Sequence, residues 1–157
     1  MSGMAGSTST RFAVAVHVLT YLAGVRDRPV SSDELSASTN VNAVHVRRVL
    51  GPLRDAGIVR SRSGPGGGWE LAAGPCDLTL ATVWRLVADD QPVLGLHGPD
   101  PACPVGRTVR DTLRDLDDSL AAVVVAELER RTVGGVLADL VADTGAERPR
   151  GPGECPG

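Results

Sequence analysis

The sequence predicts a mainly α-helical chain with one small β-hairpin, and three observations predict it. Apolar residues recur at three- and four-residue spacing along most of the chain. The exception is residues 58–72, where IVRSRS and WELA flank the glycine-rich loop GPGGG. Two short helical patterns joined by a tight turn precede this hairpin, and a heptad stripe follows it. The order describes a winged helix-turn-helix followed by a long C-terminal helix suited to dimerisation.

The first helical pattern is RFAVAVHVLTYLAG. Phe12, Val16, Leu19 and Leu22 or Ala23 fall on one face, Ser9 or Thr10 can cap the start and Gly24 can end it, so a helix is expected over 9–24. Ser31 followed by Glu34 reads as a capping box that opens a short helix over 32–38, with Leu35 as its inward anchor. Thr39, Asn40 and Val41 form a turn, since Asn tolerates the left-handed conformation.

Asn42 caps the next helix, in which Val46, Val49, Leu50 and Leu53 make one apolar stripe. Val44, Arg48 and Asp55 lie opposite, flanked by His45 and Arg47, and Gly57 closes the helix. Pro52 lacks an amide donor and its ring meets the carbonyl of Arg48, so a kink or loosened turn is expected there.

After the hairpin, Leu78–Asp90 reads as an amphipathic helix capped by Thr79, with Leu80, Val83, Trp84 and Val87 inward. Residues 91–104 hold four prolines and two glycines and are expected to be a loop. Val105–Arg131 is the longest helix. Its Val109, Leu113, Leu116, Leu120 and Val123 or Val124 step by 4, 3, 4, 3, a heptad seam that suits a dimer interface. Residues 132–143 form a short final helix that can fold back. The domain plan is a disordered 1–8, a winged helix-turn-helix over 9–78, a connecting helix and loop over 79–104, dimerisation and final helices over 105–143, and a disordered tail over 144–157.

Composition bounds the function. The chain of 157 residues is 42% hydrophobic with four aromatic residues, so its core must be aliphatic. No apolar run approaches the roughly 18 residues of a membrane span. MSGMAGSTST lacks the basic and apolar regions of a signal peptide, so a cytoplasmic protein is expected. The net charge is −3, yet residues 1–72 carry eight arginines against five acids while residues 73–157 carry eight against fourteen. A basic first half suits a polyanionic partner; two ordinary solvated faces are the plainer reading.

The loop SGPGGGWEL could cradle a phosphate. A P-loop needs a lysine after its glycines, and every basic side chain here is arginine. The loop also leads into a strand, not into a helix N-terminus. A wing remains, with Arg60 and Arg62 beside it to neutralise phosphates. No nucleophile–base pairing or metal-ligand spacing is visible, so an enzyme is not expected.

RFAVAVHVL, STNVNAVHVRRVLGPLRDAGIV, SGPGGGWEL and PACPVGRTVRDTL, in this order, resemble the Rrf2 family of bacterial winged-helix transcription regulators over roughly residues 8–143. The resemblance implies a homodimer that represses transcription by placing recognition helices in successive major grooves of a palindromic operator in double-stranded DNA. By position, Asn42, Ala43, Val44, His45, Arg47 and Arg48 would face DNA, and the wing of Ser63, Gly64, Pro65, Gly66 and Gly67 would reach the minor groove. Many members place an arginine where this chain has Ser63, so Arg60 or Arg62 must substitute. For His45, a helix-surface histidine without a role is the alternative.

The resemblance also bears on sensing. Cluster-binding members carry three closely spaced cysteines before the dimerisation helix, and this chain has only Cys103 there. The helix-1 positions that supply ligands in some relatives correspond to Arg11 and Ala15, which cannot serve. No cofactor is therefore expected; an iron–sulfur redox sensor drawing ligands from both subunits is the alternative. Cys103 resembles the single cysteine of thiol-sensing members, and Cys155 could resolve it on oxidation. The plain alternatives are a small residue plugging the helix start and an incidental tail cysteine. A dimer whose helix-turn-helix serves protein contacts instead of DNA is the reading from another class.

Overall fold

The computed structural model describes residues 8–88 and 92–145. Its order is α1 (Thr8–Gly24), α2 (Ser32–Thr39), α3 (Ala43–Asp55), β1 (Val59–Arg62), β2 (Gly68–Leu71), α4 (Leu80–Val87), α5 (Pro104–Glu129) and α6 (Val133–Thr144). This is the expected winged helix-turn-helix with a long helix after it. The expected tails lie outside the described residues apart from Thr8, Thr144 and Gly145, and Thr8 and Thr144 are helical.

Caps set most boundaries. Ser31 Oγ accepts the Glu34 N–H at 3.1 Å and Asn42 Oδ1 accepts the His45 N–H at 2.8 Å. Thr79 and Thr132 do the same for α4 and α6. These bonds satisfy amides that have no partner inside the helix. Several expected boundaries move. Ser9 and Thr10 lie inside α1, not ahead of it. The helix after Thr79 ends at Val87, not at Asp90, because Ala88 is already extended with ψ 121°. Asp89 and Asp90, the end of the expected helix, lie outside the described residues. Gly68 belongs to the second strand and not to the loop. Helix α3 continues through Pro52 to Asp55.

α1 is the central helix. Val18 and Leu19 are fully buried, and they share one core with Leu35, Val46, Val49, Leu50, Leu53, Val59, Val83 and Val87. The core is aliphatic, as four aromatics require. Phe12 and Trp84 meet edge-on at 5.2 Å and join α1 to α4 at its margin. No described polar or charged residue is fully buried.

Two single-residue bridges close the fold. Val30, just before α2, exchanges both backbone hydrogen bonds with Trp69 of β2, at 2.9 and 2.8 Å. Trp69 also donates from Nε1 to Ser32 Oγ at 3.0 Å. The hairpin is thereby fastened to the start of α2. At the other end Thr79 bridges Thr132, and the Leu80 and Val133 amides donate to Arg131 and Leu78 carbonyls. Val133 is fully buried in the shared core, and α6 packs on α1.

Before α2, Glu34 does not turn back to its own cap as a full capping box would. Its carboxylate accepts two Arg28 guanidinium bonds at 2.8 and 2.9 Å and the Tyr21 hydroxyl at 2.7 Å. Arg28, and then Tyr21, hold the Glu34 carboxyl down to about 2 from its ordinary 4.5. A carboxyl lowered in the folded state stabilises the fold above its ordinary value and loses that contribution as pH falls from 4.5 toward 2. Glu34→Gln is therefore expected to lower stability at pH 7 while flattening its loss across that acid window. Solvent exposure of both partners keeps the effect small. Urea unfolding at neutral and acid pH measures it; equal pH slopes for variant and parent would refute it.

Candidate nucleic-acid interface

The turn between α2 and α3 is built locally. Asn40 is left-handed with φ 55° and ψ 36°, and Ser36 Oγ donates to the Val41 carbonyl at 2.6 Å. With Val46, Val49, Leu50 and Leu53 all fully buried, the opposite side of α3 faces solvent. Val44 is 60% exposed there, beside exposed Asn42, Arg47 and Arg48. Arg47 and Arg48 have no hydrogen-bond or ion-pair partner among the described residues, whereas Arg54 pairs with Asp55 at 3.2 Å. Ala43 is half-buried. His45 is half-buried too, and its Nε2 is inaccessible and lacks a partner. In this conformation the ring does not present Nε2 to a ligand on the α3 surface.

β1 packs against α3 and brings the hairpin beside it. Ser63, Gly64, Pro65 and Gly66 are exposed and Gly67 half-buried, and the Gly67 N–H closes the turn on the Gly64 carbonyl at 3.0 Å. Arg60 and Arg62 project from β1 but are not free. Glu70, across the hairpin, accepts Arg60 Nε at 3.0 Å and lies 3.6 Å from Arg62 Nη2. Sequence reasoning missed Glu70 as a partner of the wing arginines. A hairpin closed on GPGGG would set Glu70 opposite Arg62; the observed loop of residues 63–67 sets it opposite Arg60 instead.

The long helix α5 has no fully buried residue. Of its expected seam, Val109 and Leu116 are 41% and 47% exposed, and Leu113, Leu120 and Val124 are half-buried. Val105 and Val123, at 70% and 65%, are more exposed still. The loop ahead of it is tied down by the Leu94 N–H on Asp117 Oδ1 at 2.5 Å. Cys103 is a half-buried free thiol at the N-cap, its Sγ accepting the Gly106 N–H at 3.4 Å. Cys155 lies outside the described residues.

Comparison with known proteins decides the family. A sequence profile of Rrf2, described as an iron-dependent transcriptional regulator, matches residues 8–143. The chain belongs to the Rrf2 family. It is 32% identical over 130 residues to YwnA of Bacillus subtilis (strain 168), a candidate HTH-type transcriptional regulator, covering 82% of this chain and 96% of YwnA. The crystal structure of a candidate transcriptional regulator from Lactobacillus plantarum superposes with a TM-score of 0.70 at 30% identity, over 83% of this chain and 89% of that one. CymR, the global cysteine regulator of B. subtilis, shares the fold with a TM-score of 0.57 at 21% identity, over 83% of this chain and 95% of CymR.

This Rrf2 member is a DNA-binding transcriptional regulator with a winged helix-turn-helix, in a family of regulators and not of enzymes. Among the described residues no helix is long and apolar enough to cross a membrane. The family description names iron, which the donor set can be tested against. Among the described residues no three His, Cys, Asp or Glu side chains group as metal ligands. The expected loop supplies one thiol, Cys103, whose Sγ accepts the Gly106 N–H. These residues do not fit an iron–sulfur cluster held within one protomer.

Proposed function

We propose that this Rrf2 member is a cytoplasmic, homodimeric, cluster-free repressor that reads a palindromic operator with the first two turns of α3 and the wing. The observation that carries this reading is the pair Arg47 and Arg48, exposed on α3 and without an acidic partner among the described residues. Unpaired guanidiniums on the solvent side of a helix-turn-helix suit guanine edges and phosphates. Exposed Val44 between them suits a thymine methyl. Asn42 keeps its two amide donors for DNA while its oxygen caps the helix. His45 is left out of the set of base readers.

Cys103 is retained as the proposed sensor thiol. Its sulfur caps the first turn of α5, so modification there acts on the helix assigned to the dimer.

The test is the salt dependence of binding to a duplex selected from a random library by the parent protein. Arg48→Ala is expected to weaken that binding about tenfold and, if Arg48 meets a phosphate, to reduce the slope of log K against log salt by about one. Parent protein that selects no duplex and shows no salt-dependent affinity would instead assign the helix-turn-helix to protein contacts.

A further inference from the structure

We propose that Glu70 is an internal counter-anion of the wing, which holds Arg60 and Arg62 away from DNA phosphates except where α3 is seated on its own sequence. The proposal rests on the DNA-binding reading of the wing. It starts from the register of the hairpin, in which Arg60 lies opposite Glu70, Arg62 opposite Gly68 and Ser61 opposite Trp69. Side chains two apart on a strand share a face. Trp69 is 8% exposed and turns inward, so Arg60, Arg62 and Glu70 share the outer face.

There both Glu70 oxygens are engaged, Oε2 by Arg60 at 3.0 Å and Oε1 by Arg62 at 3.6 Å. The arginines are 66% and 63% exposed and Glu70 only 19%, so the carboxylate sits beneath two accessible guanidiniums. Arg26 and Arg28 line a small cavity with Arg60 and Glu70, and Glu70 is the one acid among its lining residues. The Glu70 carboxylate thus takes on the two wing arginines the place that a phosphate oxygen could take. Exposed pairs of this kind add little to stability, so the arrangement is better explained by binding than by folding.

The consequence is selective. In loose, non-specific contact the wing arginines keep their carboxylate and contribute few released counterions. When α3 makes its base contacts the wing is pressed on the backbone, and each guanidinium exchanges carboxylate for phosphate. Both acceptors bind the guanidinium similarly, so the exchange is nearly even. Specificity therefore rises without a base contact.

The test compares the parent with Glu70→Gln on a random-sequence duplex and on the duplex selected by the parent. Gln keeps the size of the side chain and an oxygen that can accept Arg60. Removing the charge is expected to tighten random-duplex binding about three- to tenfold, to steepen its salt slope by about one, and to tighten the selected duplex by less than about twofold. The ratio of specific to non-specific affinity falls accordingly. The triple variant R60Q/R62Q/E70Q, which keeps the hairpin uncharged, is expected to lose the gain. Unchanged random-duplex affinity and slope overturn the proposal, as does an equal gain on both duplexes or a gain that survives in the triple variant. Failure of the DNA-binding reading is distinct, since the parent itself then binds neither duplex with a salt slope.

Discussion

Leu116→Glu is expected to split the proposed dimer into folded monomers and to abolish tight operator binding. α5 spans 26 residues, about 39 Å at the helical rise, and buries none of them fully in a single protomer. Val105, Val109, Leu116 and Val123 are all exposed on it. An apolar stripe of that length needs a cover, and its heptad spacing suits a second copy of the same helix. Leu116, 47% exposed, is the informative position. A carboxylate there costs the isolated protomer little, yet in a dimer seam it would be buried without a partner. Two half-sites bound by a linked dimer gain about a hundredfold or more from effective concentration, and the monomer loses that gain. Sedimentation equilibrium gives the mass, circular dichroism the fold, and anisotropy on the selected duplex the affinity. A variant that stays dimeric places the interface elsewhere.

Gly68→Ala carries the next largest effect, on stability and on the wing together. Gly68 has φ +153°, and a Cβ there would meet the Val30 carbonyl carbon at 2.6 Å, its oxygen at 2.5 Å and the Ser31 amide at 3.0 Å. All three are backbone atoms of the bridge that fastens the hairpin to α2, so no flexible side chain can yield. The bridge must open, which costs the two Val30–Trp69 hydrogen bonds. A loss above about 2 kcal/mol is expected, placing this among the severe single substitutions. For a domain of this size Tm falls by roughly 5–10 °C. Gly66→Ala is the contrast. Gly66 has φ +72° but nothing within 4 Å of its Cβ, so only backbone strain opposes it, about 1 kcal/mol. Thermal melts of the two variants side by side decide the matter; equal Tm values would mean that the bridge carries no load.

The family comparison agrees with what the local signals describe. Ser31, Asn42 and Thr79 each cap the helix they were expected to cap, and Asn40 takes the left-handed turn. The stripe Val46, Val49, Leu50 and Leu53 is wholly buried. The surface position of Gly64, Gly66, Arg47 and Arg48 was equally legible, since it depends on spacing within one segment.

By itself, then, the sequence determined the helices, the hairpin, their order and the solvent face of α3, because caps and periodicity act over three or four residues. Only the tertiary structure decided how the pieces are fastened. Val30 with Trp69 and Thr79 with Thr132 are bridges of one residue each, too short to leave a pattern. Val133 enters the shared core across more than a hundred residues of chain from α1, which no local rule reports. The same holds for His45 and Glu34. One ring nitrogen is turned out of solvent, and one carboxylate is drawn from its own cap to Arg28 and Tyr21. Periodicity says which way a backbone position faces; which partner a polar side chain takes depends on what the rest of the chain brings within hydrogen-bond reach.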